Sequence, residues 1–179
     1  MPYPQLILAS TSPYRRQMLD RLGLPYTVES PGIDEAPLLG ETTQALAERL
    51  ARAKAEAVAS RYPLACVIGS DQVAERDGAA LGKPGDHGNA VAQLRAASGR
   101  ILRFHTAVCL RSIASDISLM HCDLTEAMFR ALDDATIERY VLHERPFDCA
   151  GSFKSEAMGI ALFDFVRSDD PTALIGLPL

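Results

Sequence analysis

An α/β fold with a mixed β-sheet flanked by helices is predicted by three observations. Short apolar runs such as QLILA (5–9) and ACVIG (65–69) read as buried strands. Between them lie stretches with helical spacing, Thr43–Arg61 the clearest. Two long stretches rich in β-branched residues, Ile101–Arg111 and Ile117–Arg130, read as an antiparallel pair, so the sheet is mixed and not purely parallel. A chain of 179 residues, 47% apolar and 23% charged, is the size of one domain with a substantial core, and residues 1–179 are read as one unit.

The elements follow in order. After QLILA comes S-T-S-P, where Ser12 suits an N-cap and Pro13 the first helical position. Met18, Leu19 and Leu22 give that helix its apolar stripe, and Gly23 ends it. Tyr26–Glu29 reads as a second strand and Ser30–Gly40, rich in Pro and Gly, as a loop. In Thr43–Arg61, Leu46, Leu50, Ala53 and Ala57 recur at helical spacing, opposite Glu48, Arg49, Arg52 and Glu56. The strand 65–69 ends at Ser70-Asp71. Asp77-Gly78 is a hairpin turn between Val73–Arg76 and Ala79–Leu81. Asp86–Ala97 is a helix closed by Ser98-Gly99. Asp133–His143 is a helix opened by acids and stopped at Pro146. The stretch 147–179 holds a Gly-rich turn, the apolar segment Ile160–Val166 and a short helix start at Asp170-Pro171.

Composition excludes several function classes. The formal net charge is −5, from 18 Lys+Arg against 23 Asp+Glu, and no basic run offers a nucleic-acid footprint. No apolar run approaches the ~18 residues of a membrane span, and the N-terminus lacks signal-peptide features, so a cytoplasmic protein is expected. The four cysteines form no C-x-x-C pair and the four histidines are scattered, which argues against a disulfide framework and a zinc site.

Six places could carry chemistry. Ser10, Ser12, Tyr14, Arg15 and Arg16 crowd a strand-to-helix turn where free N–H groups and guanidinium forks suit phosphate. A capped surface helix with solvated arginines is an equal reading. Lys54 stands beside the apolar stripe of its helix, where snorkelling is the ordinary outcome and reaching into a cleft the alternative. Asp71, at a strand end, is placed to hold a metal or take a proton from water; alone it reads as a turn aspartate. Asp34-Glu35 could hold Mg²⁺ beside phosphate oxygens, although solvated loop acids are commoner. L-G-K-P (81–84) is no Walker motif, since Gly78 is one residue too close and Pro84 replaces the hydroxyl residue; Lys83 alone can still contact phosphate. If C-A-G-S-F-K-S-E (149–156) is extended, Ser152, Lys154 and Glu156 share a face; a polar strand edge is the plain alternative. Together these cations and acids fit a metal-bound polyphosphate.

With LILASTSPYRR, GSDQV, LGKP, CAGSFKSE and LIGLPL in place, the chain resembles, over nearly its whole length, the Maf-like nucleoside triphosphate pyrophosphatases, most closely their 7-methyl-GTP pyrophosphatase branch. The resemblance implies a Maf/ITPase-like elongated sheet in two lobes with a central cleft. It implies hydrolysis between the α and β phosphates of a nucleoside triphosphate with a divalent cation, Mg²⁺ or Mn²⁺, as cofactor. By resemblance Asp71 is the catalytic acid, and Ser10, Arg15, Arg16, Glu35, Lys54 and Lys83 fall on phosphate- and metal-site positions, with Glu35 and Asp71 the metal ligands. Tyr14, Gln72 and Glu156 fall on the positions that separate the methylated-guanine branch from the pyrimidine branch. Stacking of a cationic 7-methylguanine on Tyr14 is worth ~0.5–2 kcal/mol, and a pyrimidine would leave Glu156 poorly paired at ~1–3 kcal/mol. Two departures stand out. Ala157 replaces a usual glycine, and the chain ends at Leu179 where relatives add a helix. A homodimer is compatible with this reading. The alternatives are a UTP/dTTP pyrophosphatase and a non-catalytic nucleotide-binding regulator of septum formation.

Overall fold

The computed structural model describes residues 4–179. Strand β1 (Leu6–Leu8) leads to helix α1 (Pro13–Asp20), whose N-cap is Ser12 with Pro13 as its first residue. β2 is Thr27–Val28 and α2 Thr43–Ala59. β3 (Cys66–Arg76) and β4 (Ala79–Leu81) form a hairpin, with Asp77 and Gly78 both at positive φ (53° and 81°), the turn read from the D-G pair. α3 (His87–Ala97) precedes the long strands β5 (Ile101–Ser112) and β6 (Ile117–Phe129). α4 (Asp134–Glu144) is capped by Asp133 and ends at Arg145 in the left-handed region. A 3₁₀ turn (Met158–Leu162), β7 (Phe163–Arg167) and a second 3₁₀ turn (Ala173–Ile175) complete the chain.

The strands form one mixed sheet in the order β2-β1-β3-β5-β6-β7, with β4 on β3. β1 runs parallel to β2 and β3, and the other pairings are antiparallel. Two differences from the sequence reading matter. Ser70-Asp71 does not end a strand; β3 runs through both as one 11-residue strand. Polar residues can sit inside it because each finds a partner off the sheet, as described below. Ser152, Lys154 and Glu156 do not share an extended face, since the segment turns, with Ser152 at φ 61°. The short helix start at Asp170-Pro171 is a 3₁₀ one, entered through a tight turn: the Asp170 carboxylate accepts from the Thr172 N–H at 2.7 Å, and the 3₁₀ residues are Ala173–Ile175.

Core packing forms three clusters; the smallest joins Leu8, Met18, Leu19 and Leu177 under α1, and the two larger define two lobes. In one, Leu46, Leu50, Ala51, Ala55 and Val58 of α2 pack on Ile7, Val67, Val73 and Ala107. In the other, α3 and α4 close over Leu102, Phe104, Ala127, Phe129 and Phe153. Phe153 meets Phe104 edge-on at 5.3 Å between ring centres. β5 contributes to both cores, Ala107 to the first and Phe104 to the second. Because side chains alternate along a strand, Val67, Gly69, Asp71 and Val73 of β3 face α2, whereas Ile68, Ser70 and Gln72 face α1 and the second 3₁₀ turn.

Gly69 sets how closely α2 approaches the sheet. A Cβ there would collide with the Ala51 carbonyl oxygen and lie 2.6 Å from the Ala55 nitrogen, both backbone atoms that cannot swing away. We expect Gly69→Val to destabilise the fold by ~1–3 kcal/mol. A urea titration reads this, and a variant as stable as the parent would contradict this packing.

Candidate active site

A cleft of ≈ 610 Å³ opens between the lobes, lined by Ser10, Ser12, Arg15, Glu35, Lys54, Asp71 and Lys83, among others. A smaller recess of ≈ 130 Å³ adjoins it, lined by Tyr14, Phe153, Glu156, Leu174, Ile175 and Gly176. Ser12, Tyr14, Arg15, Gln72 and Lys83 border both spaces.

The centre of the cleft is Lys54. Its stem leaves α2 among apolar neighbours and its side chain is only 5% exposed, so it does not snorkel to solvent. Nζ lies 2.6 Å from Oδ1 of Asp71 and 2.8 Å from Oε1 of Glu35. Arg15 Nη2 stands 3.9 Å from the same Asp71 oxygen. Burial pushes the Arg15 guanidinium below its ordinary value, and Asp71 and Glu35 act against that shift. Burial opposes ionisation of Glu35, but the Lys54 hydrogen bond and the charges of Lys54, Arg15 and Lys83 outweigh it and hold the carboxyl below its ordinary range.

The strand-to-helix turn is as compact as S-T-S-P suggested. Ser12 Oγ accepts from the Arg15 N–H at 3.4 Å, and Ser10 Oγ accepts from the Ser12 N–H at 3.1 Å and from Arg15 Nη1 at 3.4 Å. The N-terminus of α1 and the Arg15 fork thus face the cleft, an arrangement suited to an anion. Tyr14 donates to Asp148 at 3.2 Å, and Cys149 donates to the Tyr14 oxygen at 3.6 Å. Burial, then Cys149 and Asp148, raise the Tyr14 hydroxyl far above its usual value, so it stays a neutral donor. Burial likewise pushes the Cys149 thiol up to about 12, which keeps it protonated.

Ten of the fourteen residues singled out in the sequence line one or both spaces: Ser10, Ser12, Tyr14, Arg15, Glu35, Lys54, Asp71, Gln72, Lys83 and Glu156. The other four do not. Asp34 is exposed and accepts from the Ala36 N–H at 3.0 Å, and Ser152 is buried and donates to Gln93 Oε1 at 2.6 Å. Arg16 is exposed on the outer side of α1. Lys154 donates from Nζ to the Glu144 carbonyl at 2.7 Å, fastening the loop to the end of α4. The sequence reading also passed over Asp148, which borders both spaces, although it directly precedes the C-A-G-S-F-K-S-E stretch. It missed Ser70 and Thr106 too, whose hydroxyls are buried under the Ala173–Ile175 turn.

The loop carrying Glu35 is moored to α2 and to the turn that follows it. Arg61 donates to Ser30 O at 2.5 Å, and Arg49 donates to Ala36 O at 3.0 Å and to both oxygens of Glu41. The Arg49 hydrogen bond, then the Leu38 N–H, hold the Glu41 carboxyl at about 2 against an ordinary 4.5. A lowered carboxyl pKa stabilises the folded state above the unfolded value and loses that contribution as pH falls through the folded one. Wild type should therefore exceed Glu41→Gln in stability by a constant margin above pH ~5. The margin should shrink between pH 4.5 and about 2. Urea midpoints measured across that range check it.

Two carboxylates meeting on one ammonium also form a donor set that fits a hard divalent cation, because Mg²⁺ takes one or two protein carboxylates and fills its shell with water and phosphate oxygens. Among the described residues no group of three or more His, Cys, Asp or Glu is close enough to hold a metal ion by itself. No helix among the described residues is long and apolar enough to cross a membrane.

A helical N-terminus, buried cations and paired carboxylates converging on one cleft between two lobes define a protein built to handle a polyanion. The chain belongs to the Maf-like protein family, whose model matches residues 5–179. It is 60% identical over 176 residues to the 7-methyl-GTP pyrophosphatase of Xanthomonas oryzae pv. oryzae, covering 98% of this chain and 92% of that protein. Proteins of the same name from Albidiferax ferrireducens (54% identical; 98% and 88% covered) and Paraburkholderia xenovorans (55%; 98% and 87%) are also similar. The fold is shared with the Ham1 protein of Staphylococcus aureus, at a TM-score of 0.51 and 15% identity over 87% of this chain and 89% of that one.

Proposed function

We propose that the protein hydrolyses the α–β phosphoanhydride of a nucleoside triphosphate, converting 7-methyl-GTP to 7-methyl-GMP and pyrophosphate. The observation that carries this reading is Lys54, buried in the cleft with Asp71 and Glu35 at hydrogen-bond distance. Relatives at 54–60% identity named for this activity supply the substrate.

The triphosphate lies in the larger space. Arg15, Lys54 and Lys83 neutralise its charge, and Ser10, Ser12 and the α1 N-terminus donate to its oxygens. Lys54 occupies Oδ1 of Asp71, which leaves Oδ2 to take the proton as water attacks the α-phosphorus; the bond to the bridging oxygen breaks and pyrophosphate leaves. Glu35 and Asp71 are the residues that would hold a divalent cation, and when bound it supplies further charge neutralisation on the phosphates. The base enters the recess, where Tyr14 offers a stacking face and Glu156 accepts from the donors of a guanine edge.

Pyrophosphate release from a panel of canonical and modified triphosphates, with and without Mg²⁺ or Mn²⁺, tests the proposal. Highest kcat/KM for 7-methyl-GTP is expected. Preference for UTP or dTTP would reassign the base pocket, and binding without turnover would leave a nucleotide-binding regulator.

A further inference from the structure

The segment Ala173–Gly176 is held by Ser70, Gln72 and Thr106, which the proposed chemistry does not use, and by Arg15, which it does. Thr106 Oγ1 donates to Ala173 O at 3.0 Å. Gln72 Nε2 lies 3.0 Å from both Ala173 O and Leu174 O. Ser70 Oγ donates to Gly176 O at 3.0 Å, and Arg15 Nε donates to the same oxygen at 2.9 Å. Ser70 and Thr106 are fully buried. Beyond the segment, Leu177 is locked under α1 with Leu8, Met18 and Leu19. Before it, Asp170 receives the Thr172 and Leu179 N–H groups, each at 2.7 Å.

This strap joins two places. Leu174, Ile175 and Gly176 line the small recess. Arg15, tied to Gly176 through Nε, also reaches Ser10 and stands 3.9 Å from Asp71. β3 serves both from opposite faces, Asp71 toward Lys54 and Ser70 with Gln72 toward the strap. We propose that Ser70 and Thr106 are positioning residues. By fixing the carbonyls of Ala173 and Gly176 they set the wall of the base pocket together with the guanidinium that grips the phosphates, so that base identity is read into turnover. The proposal rests on the functional reading above.

Each pinned carbonyl keeps a second donor when one hydroxyl is removed: Gln72 at Ala173, Arg15 at Gly176. Ser70→Ala and Thr106→Val should therefore fold, while the strap gains freedom. The readout is the ratio of kcat/KM for 7-methyl-GTP to that for UTP. It should fall about 3- to 10-fold in each variant, the effect of one lost hydrogen bond, and Thr106→Ser, which keeps the donor, should retain the parent ratio. Folding is followed by thermal melting in parallel. An unchanged ratio in both variants, or an equal fall in Thr106→Ser, would overturn the positioning role while wild-type turnover still supported the functional reading. A wild type that releases no pyrophosphate from any nucleotide would overturn both.

Discussion

Asp71→Asn is expected to lower kcat for pyrophosphate release by ~10²–10⁴-fold, the span typical of a lost acid–base group, with little change in thermal stability. The asymmetry comes from the geometry. Asn keeps the size of the side chain and leaves an oxygen near Lys54 Nζ, and the ammonium retains Glu35 at 2.8 Å as a charged partner. What disappears is the second carboxylate oxygen that can accept a proton and the charge that would help hold a divalent cation. Steady-state kinetics with 7-methyl-GTP, paired with a melting curve, checks both halves. Turnover within a few-fold of wild type would remove Asp71 from the chemistry.

Lys54→Met should have the largest effect on stability. Asp71 is 6% exposed, and without the ammonium its only remaining cation among the described residues is Arg15 at 3.9 Å. Breaking a buried pair by deleting one partner costs ~3–5 kcal/mol, chiefly because the surviving charge is uncompensated. Replacing both partners with apolar residues removes that penalty. Lys54→Met combined with Asp71→Leu should therefore regain most of the lost stability in urea titrations and none of the activity. A double variant no more stable than Lys54→Met alone would mean that α2 packing, not the ion pair, governs the loss.

Local chemistry explains which parts of this molecule could be read from the sequence. The D-G pair at 77–78 dictates its turn because both positions need positive φ, and S-T-S-P dictates the start of α1 because Ser12 and Pro13 each suit one position. The mooring of Asp71, Ser70 and Gln72 is different. Their partners lie far along the chain, at Lys54, Gly176 and Ala173. A polar triplet in an apolar strand looks like a terminus until those partners are known. The same distance hid Thr106 and made Lys54 look like a snorkelling surface residue. Lys154 differs the other way: an extended segment would put it on one face with Glu156, but its loop turns and the ammonium caps α4 through Glu144 O. Ser10, Ser12, Tyr14, Arg15, Asp71 and Lys83 were legible because chemistry-bearing types clustered at three short stretches, S-T-S-P-Y-R-R, G-S-D-Q-V and L-G-K-P, whereas Gln72 entered only through the family resemblance and Glu35, Lys54 and Glu156 lie outside those stretches.

The most direct test of the account is a crystal structure with a 7-methyl-GTP analogue whose α–β bridging oxygen is replaced by a methylene group. The account predicts the triphosphate in the larger space against Arg15, Lys54 and Lys83, with the base in the recess against Tyr14 and the strap. A nucleotide bound elsewhere, or a triphosphate that leaves the Lys54–Asp71 pair untouched, would contradict it.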